Sequence, residues 1–136
     1  MIKELQEFFE ACPYLKKDKQ NIDFLGRSEG CYTIETVPCE PILKRYKTGG
    51  SLRQYCFLIG LRQRFDGSVG ENLKNEQLCE EIADWVEECS NAGKLPRLEK
   101  GRVAQKISVT SSGYMFDESV NHARYQIGLR LVYTKI

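Results

Sequence analysis

The side chains best suited to chemistry in this chain are one histidine, six cysteines and a dense run of carboxylates. A histidine acting as general base needs a nucleophile within hydrogen-bond reach, or a carboxylate that orients its ring. His122 sits between Asn121 and Ala123, with no serine or cysteine nearby in a nucleophile-elbow pattern. It reads as a loop histidine. Glu80, Glu81, Asp84, Glu87 and Glu88 crowd one segment, but none has a histidine three residues on, the pairing that di-metal helices use. Gly49-Gly50 lacks both the Lys-Ser/Thr and the helix start of a phosphate loop. Arg62 and Arg64 could touch phosphate, but Asp66 stands beside them. These residues assign no catalytic, cofactor-binding or metal-binding position, and the chain does not read as an enzyme.

The cysteines Cys12, Cys31, Cys39, Cys56, Cys79 and Cys89 are scattered, with no CxxC among them. Zinc sites draw their ligands from close Cys/His pairs, and His122 has no cysteine near it. Small secreted folds stapled by disulfides are shorter and richer in loops. Free, mostly buried thiols serving as small hydrophobes are the expectation.

Chemistry of this kind needs elements to position it, and the periodicities supply them. Ile2, Leu5, Phe8, Phe9 and Cys12 recur at helical spacing over 2–12, and Pro13 stops the run. NIDFLG reads as a short extended piece, RSEG as a turn and CYTIETV as a strand. PCEPILKRYKTGG, with two prolines and a terminal Gly49-Gly50, reads as a connection with room for a brief turn of helix. From Ser51 to Phe65 a strand sets Tyr55, Phe57, Ile59 and Leu61 on one side, with apolar Cys56 and Leu58 on the other. A strand apolar on both faces belongs in mid-sheet, covered on each side.

The second helix has the clearest pattern. Leu78, Ile82, Trp85, Val86 and Cys89 fall on one stripe, opposite Glu80, Asp84, Glu87 and Glu88. Asn75 suits its N-cap, Gly93 the position just past its end, and Pro96 bars resumption. Beyond it, VAQKISVTSSGYMF alternates as a half-buried strand, with SSG marking a bend or bulge before Tyr114 and Phe116. DESVNHA reads as a loop, and RYQIGLRLVYT as a last strand with Tyr125, Ile127, Leu129, Leu131 and Tyr133 on one face. The order α-β-β-β-α-β-β gives an α+β class: one domain over 1–136, a mainly antiparallel sheet of four or five strands, and two helices on one side.

Composition bounds the function. The 136 residues suit one domain, and 41% hydrophobic with 29% charged residues is ordinary for a globular protein. A net charge of +1 gives no support for nucleic-acid readout or for binding a membrane surface. No apolar run nears the ~20 residues that span a bilayer, and the charged start MIKELQEFFEAC is no signal peptide. A cytoplasmic protein is the expectation.

The acidic helix face is either a solvated surface or a protein contact, since Lys94, Arg97, Arg102 and other cations follow it closely. Two patches of opposite sign on one molecule can pair head-to-tail between copies. The candidate interface therefore comprises Glu80, Asp84, Glu87 and Glu88 against Arg62, Arg64, Lys94, Arg97 and Arg102, with Tyr114 and Phe116 as an apolar centre.

FFEACPYL, GGSLRQYCFLIGLRQRF, IADWVEEC…GKLP and AQKISVTSSGYMFDE…ARYQIGLRLVYTK follow one another nearly end to end. In that order the chain resembles the minor capsid or tail-terminator proteins of long-tailed phages and prophages of Gram-positive bacteria. The resemblance implies a virion protein assembled in the host cytoplasm, without a cofactor. It implies a hexameric ring of this chain at the head-proximal end of the tail tube, where it contacts the tail-tube protein and a head-completion protein. It transfers no functional residue, because such a family works through surfaces. Two competing readings are a small acyltransferase-like enzyme, which needs an activated histidine or a cofactor loop, and a monomeric adaptor. Solution mass separates the adaptor from a ring-former.

Overall fold

Fourteen residues of unbroken strand form the spine of the molecule. The computed structural model describes residues 1–15, 20–22, 32–64, 69–119 and 122–136. The elements are α1 (Ile2–Phe9), β1 (Gln20–Ile22), β2 (Tyr32–Val37), β3 (Ile42–Arg45), β4 (Ser51–Arg64), α2 (Val69–Asn91), β5 (Arg102–Ser119) and β6 (His122–Lys135). The sheet runs β1-β2-β4-β6-β5, and β3 pairs with β4 beside that path. Among the described residues only β1 and β2 run parallel; the other pairs are antiparallel. Strand β4 is central, as its two apolar faces predict. β6 lines one edge from Ser51↔Lys135 to Arg64↔His122, while β2 and β3 share the other edge.

Period-two alternation puts one set of side chains on the helix-covered face. Ile34, Ile59 and Ile127 stand in one register row, Phe57 and Leu129 in the next, and all are buried. Leu5 and Phe9 of α1 and Cys79, Ile82, Val86 and Cys89 of α2 close over this face. Trp85 is half-buried and meets Phe8 and Phe9 of α1, at ring-centroid distances of 5.1 and 5.9 Å. It joins the two helices, whereas the stripe suggested a direct seat on β4. The α+β class, the mainly antiparallel sheet and the two helices on one side agree with the sequence reading.

Three boundaries differ from it. ILKR forms β3, so the element order gains a fourth strand before α2. The Pro41 carbonyl accepts the Gln54 N–H at 3.0 Å, and Pro41 sits just before the strand, where its missing donor costs nothing. Gly49 and Gly50, with φ of +97° and +84°, make the turn that returns β3 into β4. Helix α2 begins at Val69, six positions before the cap that Asn75 suggested. Asn75 is buried in the helix, and its Nδ2 donates to the Tyr125 hydroxyl at 3.4 Å. A carboxamide turned onto the sheet cannot cap a helix end. DESVNHA is mostly strand, because Glu118↔Ala123 and Ser119↔His122 continue the β5–β6 ladder.

The helix exit follows the sequence. Gly93 takes φ +75°, the Lys94 N–H donates to the Cys89 carbonyl at 2.8 Å, and the Gly93 N–H donates to that of Ser90 at 3.2 Å. This pair of bonds is a Schellman motif. The SSG bulge is present as well, with register shifts between Val109 and Ser111 and between Ser111 and Tyr114. Among the described residues no helix is long and apolar enough to cross a membrane.

Candidate assembly interface

Helix α2 turns Glu80, Asp84, Glu87 and Glu88 to solvent, all four exposed. Glu76, Glu80 and Asp84 follow one another at four-residue intervals, with Glu88 next in the row. Like charges at that spacing destabilise a helix by about 0.2–0.5 kcal/mol per pair. The last turn carries no basic residue to offset either the carboxylates or the helix dipole. This face therefore works against the helix that bears it, and an external cation would relieve it. It borders a groove of about 420 Å³ whose far wall is Val109, Thr110, Ser111 and Gly113 of β5.

Gly113 allows that wall to stand so close. A Cβ there would lie 2.2 Å from Cys79 Cβ and 2.6 Å from its sulfur, so only glycine lets α2 settle against the bulge. Packing on this side pushes the Cys79 thiol up to about 12, mainly by burial and then by the charge of Glu76.

The basic residues do not form one patch. Arg102 and Ser51 both stand opposite Lys135, which puts Arg102 near the start of β4. Arg62 pairs with Arg124 at the other end. From Ser51 to Arg62 the strand covers about 36 Å at about 3.3 Å per residue. Lys94 and Arg97 are exposed. Arg102 is committed within the chain: its guanidinium donates to Glu4 Oε1 at 2.8 Å and to the Glu99 carbonyl at 2.8 Å. Burial would raise the Glu4 carboxyl, but its backbone hydrogen bond, the terminal ammonium and Arg102 together hold it below its usual range. The side chains of Arg64, Tyr114, Phe116 and His122 lie outside the described residues, as does Cys31.

The sheet face away from the helices also differs from expectation. Among the described residues no helix packs over it, and Cys56 and Leu58 are only half-buried. Their partial burial comes from neighbours in the sheet: Val37 and Arg130 flank Cys56, and Glu35 and Gly128 flank Leu58. Thr33 donates to Glu35 at 2.8 Å, and Arg124 forms an ion pair with Glu35. Gly60 makes room for this group, since a Cβ there would lie 2.9 Å from Thr33 Oγ1 and 3.1 Å from both charged partners. A shallow pocket of about 240 Å³ opens beside it, lined by Val37, Cys56, Leu58, Gln126 and Gly128 among others. The sequence reading had this face covered, from apolar Cys56 and Leu58. The contrary signal was the polar alternation Arg124, Gln126, Gly128, Arg130 opposite the apolar side of β6.

Among the described residues five cysteines are free thiols: Cys12, Cys79 and Cys89 buried, Cys56 half-buried and Cys39 exposed. Among the described residues no group of three His, Cys, Asp or Glu side chains stands together to hold a metal ion. No protein-family model and no curated protein matches the chain.

Proposed function

We propose that this chain is a phage structural protein, a tail terminator that assembles as a hexameric ring at the head-proximal end of the tail tube. The observation that carries the proposal is the exposed row of carboxylates on α2, on the same molecule as exposed Lys94 and Arg97 in the connection that follows that helix. Head-to-tail contact needs two different complementary patches on each subunit, and a ring closes when the rotation between neighbours divides a full turn. Charged contacts of this kind set register and partner choice more than affinity. The resemblance adds the setting: its four sequence blocks fall on the end of α1 and the segment after it, on the turn into β4 and that strand, on α2 with its exit, and on the β5–β6 hairpin. The ring's other partners are the tail-tube protein and a head-completion protein.

The test is a tube-growth assay. Tail-tube protein polymerising with the chain present should stop elongating and carry one cap per tube. Each exposed ion pair contributes about 0.2–1 kcal/mol. Asp84→Lys with Glu88→Lys also adds repulsion, so capping should weaken about tenfold, the equivalent of ~1.4 kcal/mol. Raised salt should mimic this in milder form, as the screening length shortens below about 8 Å. Tubes that grow unchanged in the presence of the parent chain would overturn the proposal.

A further inference from the structure

Strand β5 ends the sheet path, so among the described residues one of its edges has no strand beside it. One bond fixes where that edge points. The Ile107 N–H donates to Ser90 Oγ of α2 at 3.3 Å, and therefore faces away from β6. Val109 stands two positions on with no register shift between, so its N–H and C=O turn the same way. Val109 also lines the groove whose opposite wall carries Glu76, Glu80, Asp84 and Glu87 of α2. Among the described residues none of these carboxylates takes part in an ion pair. A groove between a helix and the open edge of a strand suits one further strand: backbone hydrogen bonds hold it, and the walls select its side chains. Here the helix wall selects cations.

The chain carries such a strand on the other side of its own sheet. Among the described residues β3 pairs with β4 alone, which leaves its outer edge open. Lys44 and Arg45 are exposed and in no ion pair, and exposed Lys47 follows in the turn. Leu43 and Tyr46, at 41% and 40% exposure, are large apolar groups that folding of a single chain leaves uncovered. Lysine on an edge strand ordinarily guards it against pairing. Against an acidic wall it does the reverse. The dimensions agree as well: the four residues of β3 span about 13 Å at about 3.3 Å each, and Glu76 to Asp84 spans about 12 Å at about 1.5 Å per helical residue.

We propose that β3 of a second copy docks in this groove as an added strand on the edge of β5, its cations against the carboxylates of α2. The inference rests on the ring reading and names the two surfaces that meet. Lys44 and Arg45 are neighbours on the strand and point to opposite sides, so whichever side meets α2 brings a cation to it. The contact is heterologous: each subunit offers one groove and one β3, and the sheet of one subunit runs on into the next. Backbone bonds between the two edges supply affinity, while the charges set register and exclude an uncharged strand. Leu43 and Tyr46 lose their exposure to water in the same contact, which accounts for their presence on a short edge strand.

The full chain tests this by charge exchange, with light scattering as the readout. Lys44→Glu with Arg45→Glu should raise the concentration needed for assembly about tenfold or more, and Glu80→Lys with Asp84→Lys should do the same. All four substitutions in one chain should restore assembly toward that of the parent, an outcome that mere damage to the fold does not produce. A second measurement needs no variant. Unlabelled and heavy-isotope-labelled parent chains are mixed and treated with a carbodiimide, which joins an amine to a carboxylate in direct contact. Peptides linking Lys44 or Lys47 to the α2 carboxylates should carry one label of each kind. Links confined to single chains, no such links, or a parent that stays monomeric at every concentration would overturn the docking. If Lys44→Glu with Arg45→Glu still closes a ring as the parent does, the ring reading stands and this contact fails. If the parent forms the link but grows into chains of no fixed mass, this contact stands and the closed ring fails.

Discussion

Tyr32 carries a polar group that its surroundings do not reward. Its side chain is fully buried, and among the described residues its hydroxyl has no hydrogen-bond partner. Leaving such a group unsatisfied costs about 1–3 kcal/mol. Burial first, and then the charges of Glu10 and Cys12, push its pKa up to about 12. The unfolded chain ionises this group near the ordinary value of about 10, so between roughly pH 10 and 12 the folded state holds more protons and stability falls as pH rises. Tyr32→Phe should therefore hold or gain about 1 kcal/mol in urea unfolding at neutral pH. It should also soften the alkaline loss of stability, part of which remains with Cys79. A variant more than about 1 kcal/mol less stable at neutral pH would show that the hydroxyl has a partner. At this scale the sequence revealed types better than contacts. The alternation of CYTIETV marked a strand, but the meeting of Arg102 with Glu4 depends on how α1 sits beside the start of β5, which no single segment carries.

The elements with strong periodicity were legible. Strands β4, β5 and β6 alternate over long runs, α2 has a stripe opposite a charged face, and Gly93 ends it as the rules of capping require. Short or irregular pieces were not. Strand β3 has four residues, three of them exposed, so it shows no alternation to read. The start of α2 includes Gly70 and exposed Leu73, which hide a helix that tertiary packing extends. Gly113 marked a bulge in the sequence, yet its larger role is to admit α2. Gly113→Ala would press a Cβ into Cys79, and overpacking of this kind costs about 1–3 kcal/mol. Thermal unfolding should show the loss. A variant as stable as the parent would mean that α2 does not lie against the bulge.

Across the whole molecule, the candidate interface was half legible. The acidic row was visible because helical periodicity turns sequence spacing into a surface. The basic patch was not, because Arg62 and Arg102 share a charge but stand at opposite ends of a sheet about 36 Å long. A subunit built this way presents separate charged regions rather than one bipolar seam, and separate regions suit contacts with more than one neighbour. Closed assembly is the central claim, and light scattering measures it most directly. The purified chain, alone and with tail tubes, should give a species of six times the chain mass, in solution or on the tube ends. A monomer at every concentration that also ignores tail tubes would contradict the account.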